Sequence, residues 1–420
     1  MRKKTPPLKT SRQKMIVAGI MSGTSGDGID VALLGISRNS GSRSKSERIV
    51  GLSGRGRPLQ ETNIQLLGQA AFPYPAQVRR TILSAMNSQS ASVADLSRLN
   101  SLLGELYADA VLATQKHFRA RVDLVGCHGQ TLYHQGEAQP FLGRKLTTTW
   151  QTGEAAIIAV RVGVPVVSDF RPSDMAAHGK GAPLVPYLDY LWFRDPKIGR
   201  IIQNIGGIAN LTAIPAGAGP KDLLAFDTGP GNMVIDALTQ ELFKKAFDRD
   251  GKIAASGEVL DRVLAHFLSQ PFFNSKPPKT AGREQFGREF VDDFLRLCRR
   301  GRNQDVIATA TALTARSIAD AIRRFVLGRK PRLPNAPHYH EIILSGGGAR
   351  NSTLVAMLAE QMSSLGIVTR FSDEFGLPSD AKEAVAFAVL AYETWHKRPS
   401  NVPSATGARR PAILGKISYA

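Results

Sequence analysis

The sequence predicts an α/β protein made of two copies of one domain, and three observations carry that prediction. Two β-turn-β units of similar shape open the two halves of the chain. Strand-like and helix-like segments alternate between and after them, the pattern of mostly parallel sheets with helices on their faces. A length of 420 residues also exceeds one ordinary core and asks for two domains.

Taken in order, Met15–Met21 is a continuous apolar run that reads as a buried strand, and Ile29–Ile36 returns after a Gly-rich turn. Ser92–Phe118 carries Leu96, Leu99, Leu103, Leu106 and Ala110 at helical spacing, with Ser92 as its N-cap. Val122–Cys127 and Val164–Val167 read as short buried strands. The second unit runs from Arg200–Ile205 through the turn Gly206-Gly207 to Ile208–Ile214. Leu223–Phe226 is then a strand, Asn232 to Phe247 a helix, Thr311–Leu327 a helix, Glu341–Ser345 a strand and Ala381–His396 a long helix. The expected division is a basic, disordered tail at 1–14, a first domain at 15–165 rejoined by 397–420, and a second at 166–396.

Composition narrows the function classes. Hydrophobic residues make up 43% of the chain, with 39 Gly and 24 Pro, which suits a globular protein rich in turns. Cys127 and Cys298 cannot form a disulfide framework, so a reducing cytoplasm is expected. Lys plus Arg less Asp plus Glu is 54 − 35 = +19. That charge is scattered over the tail (Arg2, Lys3, Lys4, Lys9, Arg12, Lys14), a Ser/Arg-rich insert near 37–57, and Arg296, Arg299, Arg300 and Arg302. No single stripe with interleaved aromatics exists, so no nucleic-acid partner is expected. Residues 201–220 lack charge but hold Gln203, Asn204, Asn210 and two prolines, so no membrane partner is expected either.

The chemistry lies in three Gly-rich turns after strands: Ser22–Gly28, Thr228–Gly231 and Gly346–Gly348. Glycine lets backbone N–H groups come close to a phosphate. The common phosphate motifs are absent: Gly179-Lys180 is followed by Gly181, Gly251-Lys252 by Ile253, and Asn351 stands where a dinucleotide fingerprint needs its third Gly. A duplicated hairpin with a later strand-Gly-Gly-Gly-helix is instead the pattern of the actin-like and sugar-kinase ATPases, with a ribonuclease H-like fold in each domain and the active site in the cleft between them. Met21-Ser22-Gly23-Thr24-Ser25-Gly26-Asp27-Gly28-Ile29-Asp30 resembles the signature of the anhydro-N-acetylmuramic acid kinases. The resemblance continues through His128-Gly129-Gln130-Thr131, Asp169-Phe170-Arg171 with Asp174, Gly181-Ala182-Pro183-Leu184-Val185-Pro186, Asn204-Ile205-Gly206-Gly207, Phe226-Asp227-Thr228-Gly229-Pro230-Gly231-Asn232, Pro278-Lys279-Thr280-Ala281-Gly282-Arg283-Glu284 and Ser345-Gly346-Gly347-Gly348-Ala349.

The resemblance implies a reaction in which water attacks C1 of a 1,6-anhydro sugar, the bridge opens, and O6 takes the γ-phosphoryl group of ATP. It places the ATP phosphates on Gly23, Thr24, Ser25, Gly26, Asp27, Gly28, Ile29, Asp30, Gly206, Gly207, Gly346, Gly347 and Gly348. The catalytic base maps onto Asp227; the residues alone do not rank it above Asp169 or Asp174, and a helix-capping role is its bland alternative. Glu383 and His128 are implied at the sugar, Arg171 at its lactyl carboxylate, Lys279 and Arg283 near nucleotide or substrate. Asp27 and Asp30 are implied at Mg2+ through water. Two readings stand beside the muramic one: a levoglucosan kinase, and a silent nucleotide- or muropeptide-binding regulator. A homodimer is kept as a candidate assembly. The chain departs from the family's usual Gly-Gly-Gln before Gly-Ala-Pro-Leu, having His178-Gly179-Lys180 there.

Overall fold

An apolar run that alternates between two cores, not between core and water, makes the first strand. In β1 (Met15–Ser22) and β2 (Gly28–Arg38), Ala18, Ile20, Val31 and Leu33 enter one buried cluster, while Val17, Ala32, Leu34 and Ile36 enter another. A sheet covered on both faces reads as continuous hydrophobicity. The computed structural model describes residues 14–23, 26–38, 62–86, 88–328 and 339–420. The tail at 1–13, most of the insert and the expected phosphate contacts Thr24 and Ser25 lie outside the described residues.

β1 and β2 continue antiparallel into β3 (Thr62–Pro73), and β1 then pairs parallel with β4 (Leu124–Phe141), which pairs parallel with β6 (Val166–Ser168). β5 (Arg144–Thr152) folds back on β4 as a hairpin arm. The second sheet repeats this plan. β7 (Gly199–Ile205), β8 (Ile208–Ile214) and β9 (Leu224–Pro230) form an antiparallel meander. β10 (Tyr339–Ser345) joins β7 in parallel and β11 (Val368–Phe371) joins β10. The orders β3-β2-β1-β4-β6 and β9-β8-β7-β10-β11 are the same topology used twice, as expected. β12 (Lys416–Ser418) closes the first sheet beside β6.

The helices Lys382–Trp395 and Pro186–Phe193 lie between the sheets, in a core shared by Val17 and Leu34 on one side and by Ile202, Ile214 and Ile343 on the other. Two glycines let the longer helix rest directly on the first sheet. A Cβ at Gly19 would come within 1.9 Å of the Ala384 carbonyl, and one at Gly126 within 2.2 Å of the Phe387 carbonyl. β6 lies in the first sheet, and the helix Lys382–Trp395 packs chiefly on that sheet.

The outer face of the first sheet is covered by the helix Val93–Phe118, whose N-cap Ser92 accepts from the Asp95 N–H at 3.3 Å, as expected. The outer face of the second is covered by Asn303–Ala321 and Ser352–Ser363. Several element boundaries differ from expectation. The helix starting at Asn232 stops at Phe243, because Lys244 turns left-handed at φ 57. The expected helix Thr311–Leu327 starts earlier, at Asn303, and its last residues Ile322–Leu327 wind as π-helix. β4 runs far beyond Cys127 into the arm. Among the described residues, no helix is long and apolar enough to cross a membrane.

Candidate active site

The first Gly-rich turn is closed by a hydrogen bond from Gly26 N–H to the Gly23 carbonyl at 3.1 Å, with Gly26 at φ 59. Its stem is clamped from inside. Ser22 Oγ donates to Gln130 Oε1 at 2.6 Å and lies 2.9 Å from the Tyr74 hydroxyl, while Gln130 Nε2 donates to the Gly23 carbonyl at 3.2 Å. Gln130 was legible only as a neighbour of His128; its work on the turn depends on β1 and β4 being parallel neighbours.

The second and third turns meet each other. Gly231 and Asn232 donate their backbone N–H groups to the Gly207 and Gly206 carbonyls at 2.9 and 2.8 Å. A Cβ at Gly231 would sit 2.2 Å from the Gly206 carbonyl, so only glycine fits. Gly346 adopts φ 84 against the Ile205 carbonyl, and Gly348 faces Ile205 and Asn232. Gly206, Gly207, Gly346, Gly347 and Gly348 therefore converge. Arg350, just past the third turn, pairs with Asp380, whose charge reaches Asp30 beside the first turn.

Asp227 sits within β9, opposite Asn210. Its backbone N–H donates to the Lys279 carbonyl at 3.1 Å, and one carboxylate oxygen accepts from the Ala281 N–H at 2.7 Å. The cap of the following helix is Gly231, so Asp227 is not its capping residue. The side chain is half-buried, and burial pushes its carboxyl up to about 6. The Ala281 N–H, Lys279 and Lys180 pull it down; Glu284 pushes the same way as burial. Such a group is largely ionised at neutral pH yet able to take a proton.

Glu383 is exposed yet surrounded by protein, the condition of a side chain at the floor of a cleft. Burial raises its carboxyl, while Arg171 and Lys382 draw it down. Asp30 rises to about 6 through burial and then through Asp27, Glu383 and Asp380. Like charges thus gather at the first turn, although among the described residues no three His, Cys, Asp or Glu side chains are placed to hold a metal ion directly.

Two expected substrate contacts, His128 and Arg171, are bonded to each other. Burial, and then Arg171, hold His128 well below the usual histidine range, so its ring is neutral. Nδ1–H donates to the Gly129 carbonyl at 2.8 Å, and Nε2 accepts from Arg171 Nε and Nη2 at 3.1 and 2.9 Å. In this arrangement both ring nitrogens are engaged within the protein, one of them by Arg171. Arg171 also donates Nη1 to the Gly181 carbonyl at 2.7 Å. Its Nε, Nη1 and Nη2 each spend a hydrogen bond within the protein, which fixes the guanidinium and its charge in place. Lys279 turns away as well. Its ammonium donates to the Phe272 carbonyl at 3.0 Å among Phe226, Phe272 and Phe325, and burial lowers its pKa to about 8. The Arg283 side chain lies outside the described residues. Asp169 pairs with Lys416 at 3.0 Å, and buried Asp174 holds the chain's C-terminal segment through Asn401 and Thr406.

One sheet topology used twice around a shared core, with glycine-rich turns at strand ends in both halves, is the fold of the actin-like and sugar-kinase superfamily. The model of the anhydro-N-acetylmuramic acid kinase family matches residues 55–420. The anhydro-N-acetylmuramic acid kinase of Bacillus cereus (strain ZK / E33L) is 41% identical over 410 residues, 96% of this chain and 99% of that protein. The one from Caldanaerobacter subterraneus subsp. tengcongensis is 41% identical over 417 residues, 97% and 98% of the two chains. Among solved structures, component A of the Acidaminococcus fermentans (R)-2-hydroxyglutaryl-CoA dehydratase covers 90% of this chain and 98% of its own at 10% identity and a TM-score of 0.41, too remote to say anything of function. The chain belongs to the anhydro-N-acetylmuramic acid kinase family.

Proposed function

We propose that this chain phosphorylates 1,6-anhydro-N-acetylmuramic acid on O6 with ATP while opening the anhydro bridge with water, giving N-acetylmuramate 6-phosphate and ADP. The observation that carries this is Asp227, a carboxyl raised to about 6 within β9 and fixed by the Ala281 N–H. A base is what the chemistry lacks otherwise, since the bridging O6 has no proton of its own. Asp227 takes a proton from water as the water oxygen bonds C1; the C1–O6 bond breaks, and O6 bonds the γ-phosphorus as the bond to the ADP oxygen breaks. The turns of the first hairpin and of Gly206-Gly207, with Gly346–Gly348, bind the phosphates and nucleoside. Glu383 stands at the sugar, with Arg171 supplying positive charge beside it. The carboxyls of Asp27 and Asp30, close enough that burial and then the Asp27 charge raise Asp30, fit Mg2+ held through water, which when bound would neutralise charge on the phosphates.

In this reading the product feeds cell-wall sugar recycling in the cytoplasm. We also propose a homodimer, supported by the row of exposed apolar residues Tyr133, Phe141, Leu142, Leu146 and Trp150 on the β4–β5 arm; light scattering after gel filtration tests it. The activity is tested by supplying ATP, Mg2+ and each anhydro sugar in oxygen-18 water and following ADP and product mass. Label on the anomeric oxygen of a muramic product is expected. Turnover of levoglucosan alone transfers the reading to that sugar, and turnover of neither leaves a binding protein. Asp227→Asn should lose at least about 100-fold in kcat while still binding ATP.

A further inference from the structure

A buried ammonium joins the helix that carries Glu383 to the nucleotide turns. Lys382 is the first residue of the helix Lys382–Trp395, where the backbone already presents positive charge, so a lysine there is unfavourable unless it is paired. Its side chain is only 4% exposed and meets Asp189 Oδ1 at 2.8 Å, itself 5% exposed. Asp189 comes from the helix Pro186–Phe193 and accepts from Thr212 Oγ1 of β8 at 2.7 Å on its other oxygen. Lys382 Nζ also lies 3.3 Å from Ser345 Oγ, at the end of β10. Ser345 immediately precedes Gly346, and its hydroxyl lies 3.5 Å from Asn204 Oδ1, two residues before Gly206.

This network sits inside the core shared by the two sheets, where two charges are costly to bury. Packing does not require it, since apolar residues of similar size fill such space as well or better. Its placement has a specific consequence. A single side chain touches the residue preceding the third glycine turn, the helix bonded to β8, and, through the next peptide unit, Glu383. The charge of Lys382 also favours the ionised form of the Glu383 carboxyl.

We propose that Lys382 is a positioning residue that couples occupation of the nucleotide turns to the placement of Glu383 at the sugar. The proposal rests on the functional reading above. ATP seated on Gly346–Gly348 fixes Ser345; Lys382 then holds the start of its helix, and Glu383 with it, in the sugar-binding position. Sugar and nucleotide thereby tighten each other's binding, and the effect is reciprocal.

The test measures the dissociation constant of 1,6-anhydro-N-acetylmuramic acid by calorimetry, with and without a saturating non-hydrolysable ATP analogue and Mg2+. The proteins are the wild type, Lys382→Met, and the double variant Asp189→Leu/Lys382→Met. The single variant leaves Asp189 buried without its cation and is at risk of unfolding; the double variant removes both charges and keeps the core apolar. In the wild type the analogue should tighten sugar binding by at least about fivefold. In the folded double variant that ratio should fall to within about twofold of unity, with binary affinity for the analogue little changed. Loss of stability alone would not move this ratio. A wild-type ratio near unity, or a full ratio retained in the folded double variant, overturns the proposal. Wild-type protein that binds no anhydro sugar at all overturns the functional reading instead.

Discussion

The carboxyl of Asp227, proposed as the base, also weakens the fold, and Asp227→Asn should expose that trade. In the unfolded chain this group titrates near 3.8, and in the folded protein burial moves it to about 6. The folded state therefore binds more protons than the unfolded state between those values, and stability falls as pH rises through that window. At roughly 1.4 kcal/mol per pH unit the full cost at neutral pH is about 3 kcal/mol. Because the side chain is half-buried and water screens it, about 1–2 kcal/mol is the better expectation. Asparagine keeps an oxygen that accepts from the Ala281 N–H and carries no charge. The variant should melt roughly 2–4 °C above the wild type at pH 7 and lose that advantage near pH 4, where the wild-type carboxyl is protonated. Parallel melts at the two pH values read both effects, and the other titrating groups cancel in the difference. A variant less stable than the wild type at pH 7, or equally stabilised at both pH values, would refute the reasoning.

The kcat/KM profile should fall on its acid side with an apparent pKa near 6, about tenfold per pH unit below it. Asp30 also stands at about 6, so the same limb should persist in Asp30→Asn if Asp227 is the base, as a pH-rate series will read. Arg171→Lys keeps a charge but cannot serve both the His128 ring and the Gly181 carbonyl; the sugar KM should rise about tenfold or more in steady-state assays. Gly346→Ala puts a Cβ 2.7 Å from the Ile205 carbonyl at φ 84. It should cost about 1–3 kcal/mol in urea unfolding and raise the KM for ATP.

What was legible in the sequence depended on burial. β1, β7 and β8 are covered on both faces, so their apolar runs announced them. β3 alternates exposed and half-buried positions, and the β4–β5 arm is largely exposed, so neither reads as a continuous apolar run. The helix stop at Phe243 was hidden because Lys244, not glycine, takes the left-handed turn. In the site, the glycine turns were visible as composition, but their convergence is a property of the parallel pairing of β7 with β10. Asp227 needed the family resemblance, since a strand-end aspartate before a helix also reads as a cap. Its tuning comes from burial, opposed by the Ala281 N–H and Lys279, far along the chain. The Lys382–Asp189 pair left no local trace, because each residue alone is an ordinary helix surface charge.

The loop that departs from the family pattern shows why such a change is tolerated and what it alters. His178 adopts φ 67, a conformation that costs a residue with a β-carbon about 1 kcal/mol relative to glycine. The loop is carried by its backbone: Gly179 N–H donates to the Asp174 carbonyl at 2.9 Å, Lys180 N–H to the Thr406 carbonyl at 2.8 Å, and Gly181 N–H to Asp174 Oδ2 at 2.9 Å. Of the three positions, Gly179 is the one geometry protects, since its Cβ would lie 2.1 Å from Asp174 Oδ2. The two that changed keep their side chains off these contacts. Lys180 exchanges an amide for a cation, which pairs with Glu137 on the arm at 2.6 Å and lies close enough to favour ionised Asp227. The departure is therefore electrostatic, not architectural: the backbone bonds beside Arg171 and the Gly181 carbonyl do not use the changed side chains, while Asp227 gains a second positive neighbour beside Lys279.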